Sequence, residues 1–349
     1  MQETFPLLGL TGYSYGLCIA LGAALALGLL GVQSRAWGLP RGTALLLGAL
    51  GIPLGLFFAR LLFCLFHLSG FLQTYENPLL MLRFFDGGFS MTGLLMGLAL
   101  AALAASRLLN IRLGQALDAL AAPLALLIAF CRAAERFTAL GVGKVVEENA
   151  LTSAAPWLFV TETAGIATEY RMAVYRYEAA AALLLCVILL FVGRRARRGK
   201  DTLAGDVALV FFSLYGASQM VLESLRDDGH LMITFLRIAQ VAAFLMPVLA
   251  CAVFAGRYVR LRGKADGRVV FSWLLVLLCL AGAVLTEFSL DGRLTWGKPS
   301  PLRDYGILTA LALLLLWAPL SLFHTLRRRI YAQGVILAPV DAEKEARRS

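Results

Sequence analysis

The side chains with the strongest claim to chemistry are Tyr15, Arg60, Arg132, Arg176, Glu178, Tyr215, Glu223, Arg226 and Arg237, each inside or at the edge of an apolar run. An ionised group placed in hydrocarbon costs at least about 2.5–3.5 kcal/mol, so such groups persist where they meet water or one another. Arginine offers a planar fork of donors that matches a phosphate or carboxylate, and glutamate and tyrosine can accept or pass a proton. One of these residues alone is also explained by snorkelling to the membrane surface, and the whole set by a structural ion network. Their convergence from several segments points to a wet, cationic recess suited to an anionic headgroup. The stretch RFFDGGFSMTGLLMG (83–97) adds bare backbone at Gly87, Gly88 and Gly93 and hydroxyls at Ser90 and Thr92, which suit close lipid approach.

The elements that position these groups follow from composition. The chain has 349 residues, of which 60% are hydrophobic and 15% charged. A water-soluble domain cannot bury that much apolar surface, so the fold class is an all-α polytopic membrane bundle. A span needs about 20 mostly apolar residues. Nine are expected, near 14–31, 43–66, 89–105, 113–131, 172–192, 203–222, 231–255, 271–288 and 304–323. Residues 133–170 form the longest non-spanning stretch, with room for short helices. GYSYG (12–16), GIPLG (51–55) and GLLMG (93–97) are small-xxx-small patterns that favour close helix packing.

The net charge of +10 is distributed as topogenic anchors rather than as a nucleic-acid face. Basic residues concentrate in alternate loops, at 32–42, 106–112, 194–200 and 257–268, and in the tail after 324. By the positive-inside rule the tail is cytoplasmic and the N-terminus outside. That orientation places all the candidate residues toward the outer leaflet. The six cysteines form no CxxC or Cys/His cluster and read as small buried hydrophobes, so neither a disulfide framework nor a metal site is expected. MQETFPLLGL lacks the basic start of a cleavable signal peptide, and the first span is expected to remain.

The order of motifs resembles the prolipoprotein diacylglyceryl transferase family. Tyr15-Gly16 resembles a Tyr-Gly at the outer start of that family's first span, and LFFARLLF with Arg60 resembles its Gly-Ala-Arg. YENPLLMLRFFDGGFSMTGLLMG is similar to an Asn-Pro loop leading to Gly-Gly-x-Ser-x-His-Gly. CRAAERF (131–137) is similar to Gly-Arg-x-Gly-Asn-Phe, Tyr177-Glu178 to a Tyr-Glu pair, and YGASQMVLESLR (215–226) to Tyr-Gly-x-x-Arg-x-x-x-Glu-x-x-Arg. The likeness runs from about residue 10 to 255. It implies transfer of diacylglyceryl from phosphatidylglycerol, or another anionic phospholipid, to the thiol of a lipobox cysteine, with release of glycerol phosphate. It implies Arg132, Glu223, Tyr15 and Tyr215 as catalytic. Lipid contacts are expected from Arg60, Gly87, Gly88, Ser90, Thr92, Gly93, Glu135, Gly143, Glu178, Gln219, Arg226 and Arg237. No metal, nucleotide or redox cofactor is required.

The chain departs from the family pattern at four places. The signature histidine is Thr92, the asparagine is Glu135, the arginine of the Tyr-Gly motif is Gln219, and an expected glutamate falls at Leu140. Glu135, Glu178 or His230 could then take the thiol proton. The expected organisation is a transferase-like seven-helix domain (1–255), two additional helices (256–323) and a basic tail (324–349). A catalytically degenerate lipid- or lipoprotein-binding protein is the alternative. A small-solute transporter is a weaker one, because no inverted repeat is visible.

Overall fold

The computed structural model describes residues 4–7, 10–68, 83–84, 87–138, 140–164, 167–199, 202–227, 232–233, 236–294 and 300–328. Nine long apolar helices lie within them: α1 Ser14–Ala36, α2 Thr43–Phe66, α3 Met91–Leu108, α4 Leu113–Ala134, α5 Val174–Arg198, α6 Asp206–Leu225, α7 Ile238–Arg262, α8 Gly267–Leu290 and α9 Pro301–Leu326. Leu45, Leu184, Phe191, Leu278 and Leu313 point outward from the bundle. An apolar exterior around helices of this length is what a bilayer solvates, and helices satisfy their own backbone there. The protein is a multi-pass membrane protein.

The nine expected spans are all present, but α5 and α7 run further than hydropathy alone implies. Arg194–Arg198 and Arg257–Arg262 continue their helices instead of starting loops. Arginine is a good helix former, and its long stem lets the charge leave the apolar layer while the backbone stays helical. Arg237, placed by hydropathy inside the seventh span, is instead the N-cap residue just before α7. The long 133–170 stretch contains a 3-10 turn at Glu135–Phe137, a short helix at Ala150–Ala154 and strands that the sequence reading did not include. Strands β3 (Val145–Val146), β4 (Phe159–Ala164) and β5 (Ala167–Met172) form an antiparallel sheet in the order β3-β5-β4, with Thr161 opposite Tyr170. Two further hairpins, β1–β2 (Thr4–Leu7, Leu10–Tyr13) and β6–β7 (Met232–Ile233, Leu236–Arg237), precede α1 and α7.

One core cluster centres on α4 and draws side chains from α1–α3, α5 and α6, including Leu30, Leu47, Leu95, Ile128, Leu189 and Phe211. A second joins α6 to α7, α8 and α9 through Met220, Phe254, Tyr258, Leu308 and Leu315. Helices α4 and α6 are the most enclosed. They run in the same direction and are tied at the end remote from the site by Asp118. Its buried carboxylate accepts from the Gly205 and Ala208 amides at 2.7 and 2.9 Å and so caps α6 from a neighbouring helix. Asp206 in turn accepts from the Leu203 amide and pairs with Arg257 at 2.5 Å. From Asp118 to Arg132 the helix rises about 21 Å, which carries α4 and α6 together to the opposite end.

Packing of α3 on α2 explains one of the glycine patterns. A Cβ on Gly93 or Gly97 would stand 2.2 Å from the Phe58 carbonyl oxygen or 2.3 Å from that of Leu54, so the two backbones touch. Gly55 faces Leu94 in the same seam. GYSYG does not behave this way, because a Cβ on Gly16 would meet nothing within 4 Å. Small residues permit close approach, but among the described residues no atom comes within 4 Å of a Cβ at Gly16.

Candidate active site

The charged residues assemble at the end of the bundle where α4 and α6 finish and α5 begins. Arg132, in the last turn of α4, donates from Nη1 to Glu135 Oε1 at 2.8 Å. Its Nη2 reaches Glu223 Oε1 at 3.2 Å, Gln219 Oε1 at 3.3 Å and Glu178 Oε1 at 3.5 Å. Arg226, directly after α6, donates to Glu178 Oε2 at 2.5 Å and to Glu135 Oε2 at 2.9 Å. Glu135 and Glu178 therefore each bridge both guanidinium groups. Arg237 donates to the Arg226 carbonyl, bringing a third cation against the same corner. Arg132, Glu178, Glu223 and Arg226 are all buried, Glu178 completely.

Helix periodicity places these groups. Gln219, Glu223 and Arg226 succeed one another at four and three residues and line one stripe of α6. Tyr215 extends the stripe by one turn, stacks on Phe211 with ring centroids 5.4 Å apart and lies against the Arg132 side chain. On α5 the neighbours Arg176, Tyr177 and Glu178 diverge. Glu178 turns into the cluster, Arg176 donates to the Trp157 carbonyl at 2.6 Å, and the Tyr177 hydroxyl donates to the Leu158 carbonyl. So the two polar residues beside Glu178 fasten α5 to the segment leading into β4.

Residues 141–146 close one side. The Tyr175 amide bonds to the Gly141 carbonyl at 2.8 Å, Gly143 pairs with Arg226, and the Asp227 amide bonds to Val142 at 2.9 Å. Gly143 is required by space: a Cβ would lie 2.7 Å from the Leu225 carbonyl oxygen and 2.8 Å from the Val174 side chain.

Five buried charges, two arginines and three glutamates, are almost fully cross-paired. Among the described residues, three polar atoms of this cluster are buried without a hydrogen-bond partner: Nε of Arg132, Oε1 of Glu178 and Oε2 of Glu223. Such atoms cost about 1–3 kcal/mol each when unmatched. Chemically the arrangement offers one guanidinium N–H without a partner, at Arg132, and carboxylate oxygens able to accept a proton, in a set where glutamates outnumber arginines.

A second group of predicted residues gathers between α2 and α3. Arg60, buried in α2, donates to the carbonyls of Gly87 and Gly88, and its guanidinium lies 5.9 Å from the centre of the Phe63 ring. Gly87 and Gly88 both take positive φ (73° and 72°), which turns their carbonyls toward Arg60. Ser90 caps α3, its hydroxyl accepting from the Gly93 amide at 3.4 Å, and its own amide bonds to the Ala59 carbonyl at 2.9 Å. Thr92 is half-buried in the first turn. Tyr15, at the start of α1, is half-buried within electrostatic reach of Arg132 and Glu135. His230 and the Asn-Pro loop lie outside the described residues.

The structure thus joins Arg132, Glu135, Glu178, Gln219, Glu223, Arg226 and Arg237 through direct contacts. Two departures from the expected motif pattern, Glu135 and Gln219, both touch Arg132. Asp118 was not among the candidates although a lone carboxylate inside an apolar run marks it, and it proves to be an anchor for α6. Glu287, inside the 271–288 run, carries the same mark and bonds to Gln240, whereas Gln240 and Tyr305, which reach α6 from behind, carry no comparable sequence signal.

Residues 2–255 match the model of a protein family described as prolipoprotein diacylglyceryl transferase. A Bacillus velezensis protein named phosphatidylglycerol–prolipoprotein diacylglyceryl transferase is 27% identical over 264 residues, covering 76% of this chain and 94% of its own. A Clostridium kluyveri protein of the same name is 28% identical over 252 residues, covering 72% and 93%. One from Nostoc sp. is 28% identical over 214 residues, covering 60% and 72%.

Proposed function

This chain belongs to the prolipoprotein diacylglyceryl transferase family, and we infer that it transfers diacylglyceryl from phosphatidylglycerol to a prolipoprotein in a bacterial plasma membrane. We place the site end at the outer leaflet, with the N-terminus outside and the basic tail in the cytoplasm. The acceptor is the thiol of a lipobox cysteine. Residues 1–255 form the transferase unit, and α8 and α9 are an addition to it.

In this reaction a bond forms between the cysteine sulfur and the terminal glyceryl carbon. The bond from that carbon to the phosphate oxygen breaks, and glycerol phosphate departs with the electron pair. A departing phosphate gathers negative charge and needs a fixed cation, because preorganised charge in a dry site stabilises a developing anion strongly. Arg132 fills that role, held square by carboxylates on several sides. The thiol must lose its proton, and Thr92 cannot accept one near neutral pH. Glu223 Oε2 and Glu178 Oε1 are the carboxylate oxygens in the cluster with free acceptor capacity. Tyr15 and Tyr215 flank Arg132 and orient the headgroup. Arg226 and Arg237 hold the carboxylates and the backbone around it, while Arg60 fixes the Gly87–Gly88 turn along which the lipid enters. The chemistry uses side chains alone.

The observation that carries this reading is the convergence of Arg132, Glu135, Glu178 and Glu223 from α4, the turn after it, α5 and α6. Purified protein incubated with phosphatidylglycerol and a model preprotein should add the mass of one diacylglyceryl group to the lipobox cysteine. Arg132→Ala should lower the rate at least ~10²-fold, the effect of losing one such stabilising group. Folded protein that leaves the preprotein unmodified would overturn the transferase reading. A specific observation favours a second reading, lipid or lipoprotein binding without turnover: Glu135 and Gln219 together make the surroundings of Arg132 less cationic than the family pattern. Phosphatidylglycerol binding with no glycerol phosphate released would select it.

A further inference from the structure

Helices α8 and α9 lie beyond the residues that match the family, yet they reach the site from behind. Helix α9 packs against α6 and α7, and α8 packs chiefly on α9. The site stripe of α6 carries Gln219, Glu223 and Arg226, whereas Met220 and Ser224 turn about 100° away toward the added pair. The Tyr305 hydroxyl of α9 donates to the Ser224 carbonyl at 3.2 Å. The Gln240 amide of α7 donates to the Met220 carbonyl at 3.1 Å and to Glu287 Oε1 of α8 at 2.6 Å. Ser289 of α8 donates to Asp304 of α9 at 2.8 Å, locking the pair together at the same level.

The Tyr305 bond falls where α6 is least able to hold itself, and the Gln240 bond one turn earlier. The last carbonyls of a helix have no partner within it, and in an apolar layer no water supplies one. Ser224 is in that last turn, next to Glu223 and two residues before Arg226. Lys144 stands 5.7 Å from the centre of the Tyr305 ring, so the same tyrosine also touches the segment that pairs with Arg226 through Gly143. We propose that the two added helices are a positioning module, in which Tyr305 and the Glu287–Gln240 pair clamp the last two turns of α6 and thereby set Glu223 and Arg226 toward Arg132. The role rests on the transferase reading for its catalytic consequence, but the clamp itself is a property of the fold.

Two measurements on the full chain in lipid nanodiscs separate these points. Hydrogen–deuterium exchange of residues 219–227 reads the clamp without reference to activity. Tyr305→Phe and Glu287→Ala should each speed exchange there about 2–10-fold, the worth of one lost hydrogen bond, while α1–α4 exchange as before. Diacylglyceryl transfer should show kcat reduced by a similar factor with KM within about twofold, and Glu287→Gln, which keeps an acceptor oxygen for Gln240, should restore both readouts. Unchanged exchange in both Tyr305→Phe and Glu287→Ala overturns the proposal, as does slowed turnover that Glu287→Gln fails to rescue. If the wild-type chain transfers no diacylglyceryl, the transferase reading falls, and the exchange data alone decide the clamp.

Discussion

Glu178 and Arg226 give the sharpest test of how the site is held together. Glu178 is completely buried and sits 2.5 Å from Arg226 and 3.5 Å from Arg132. At about 4 Å between charge centres, a pair in a medium of effective dielectric near 20 gains about 4 kcal/mol, largely offset by the cost of drying both ions. Removing one partner leaves that cost in place and loses the gain. Glu178→Gln strands part of both guanidinium groups, and Arg226→Met strands Glu178 and Glu135. Each single change should therefore destabilise the protein by about 3–5 kcal/mol. The double variant removes an ion together with its partner. It should cost less than the sum of the singles by roughly 1.5–3 kcal/mol, within the range found for directly coupled neighbours. The assay is denaturant unfolding in mixed micelles, with all four proteins measured at one lipid-to-detergent ratio. Additivity within about 0.5 kcal/mol would refute a shared ion network and leave the two residues as independent surface-seeking charges.

Three further outcomes follow from the packing. Gly97→Leu should separate α3 from α2, because its Cβ alone would stand 2.3 Å from the Leu54 carbonyl oxygen; overpacking of this kind costs about 1–3 kcal/mol, read as a lowered midpoint of thermal unfolding in detergent. Asp118→Ala should destabilise by about 2–3 kcal/mol, since the Gly205 and Ala208 amides lose a charged acceptor, and Asp118→Asn should cost less; equal stability of all three would show the cap to be idle. Asp266, between α7 and α8, is held below the usual carboxylate range by the Tyr258 hydroxyl and by backbone amides at the start of α8. A depressed folded-state value means its contribution is present above the ordinary aspartate range and disappears as pH falls through the folded value. The protection factor at the first turn of α8, which is exchange corrected for its intrinsic dependence on pH, should then fall on acidification in the wild type and stay constant in Asp266→Asn.

Spans were legible because lipid imposes a local requirement: about 20 apolar residues whose backbone bonds close within the segment. The same logic flagged Arg132, Glu178 and Glu223 as costly, and motif order linked them to a family. Helix ends were less legible, since hydropathy stops at Arg194 and Arg257 while the helices continue through them. The role of GYSYG was misjudged for a related reason: a small residue permits contact but does not supply the partner. The strands in 145–172 escaped notice because β4 and β5 are only six residues each and are defined by pairing with each other.

Sequence by itself determined the solvent, the number of crossings and which residues could not sit quietly in hydrocarbon, because each of these depends on composition within one segment. Only the tertiary structure decided who neutralises whom. Arg132 meets Glu223 across 91 residues, Glu178 is shared between Arg132 and Arg226, and Arg60 is spent on a glycine turn instead. It also brought Tyr305, from helices outside the family's extent, onto the last turn of α6. Coulomb attraction and hydrogen bonding act over a few ångströms in space and are indifferent to separation along the chain, so those pairings exist only once the helices have packed.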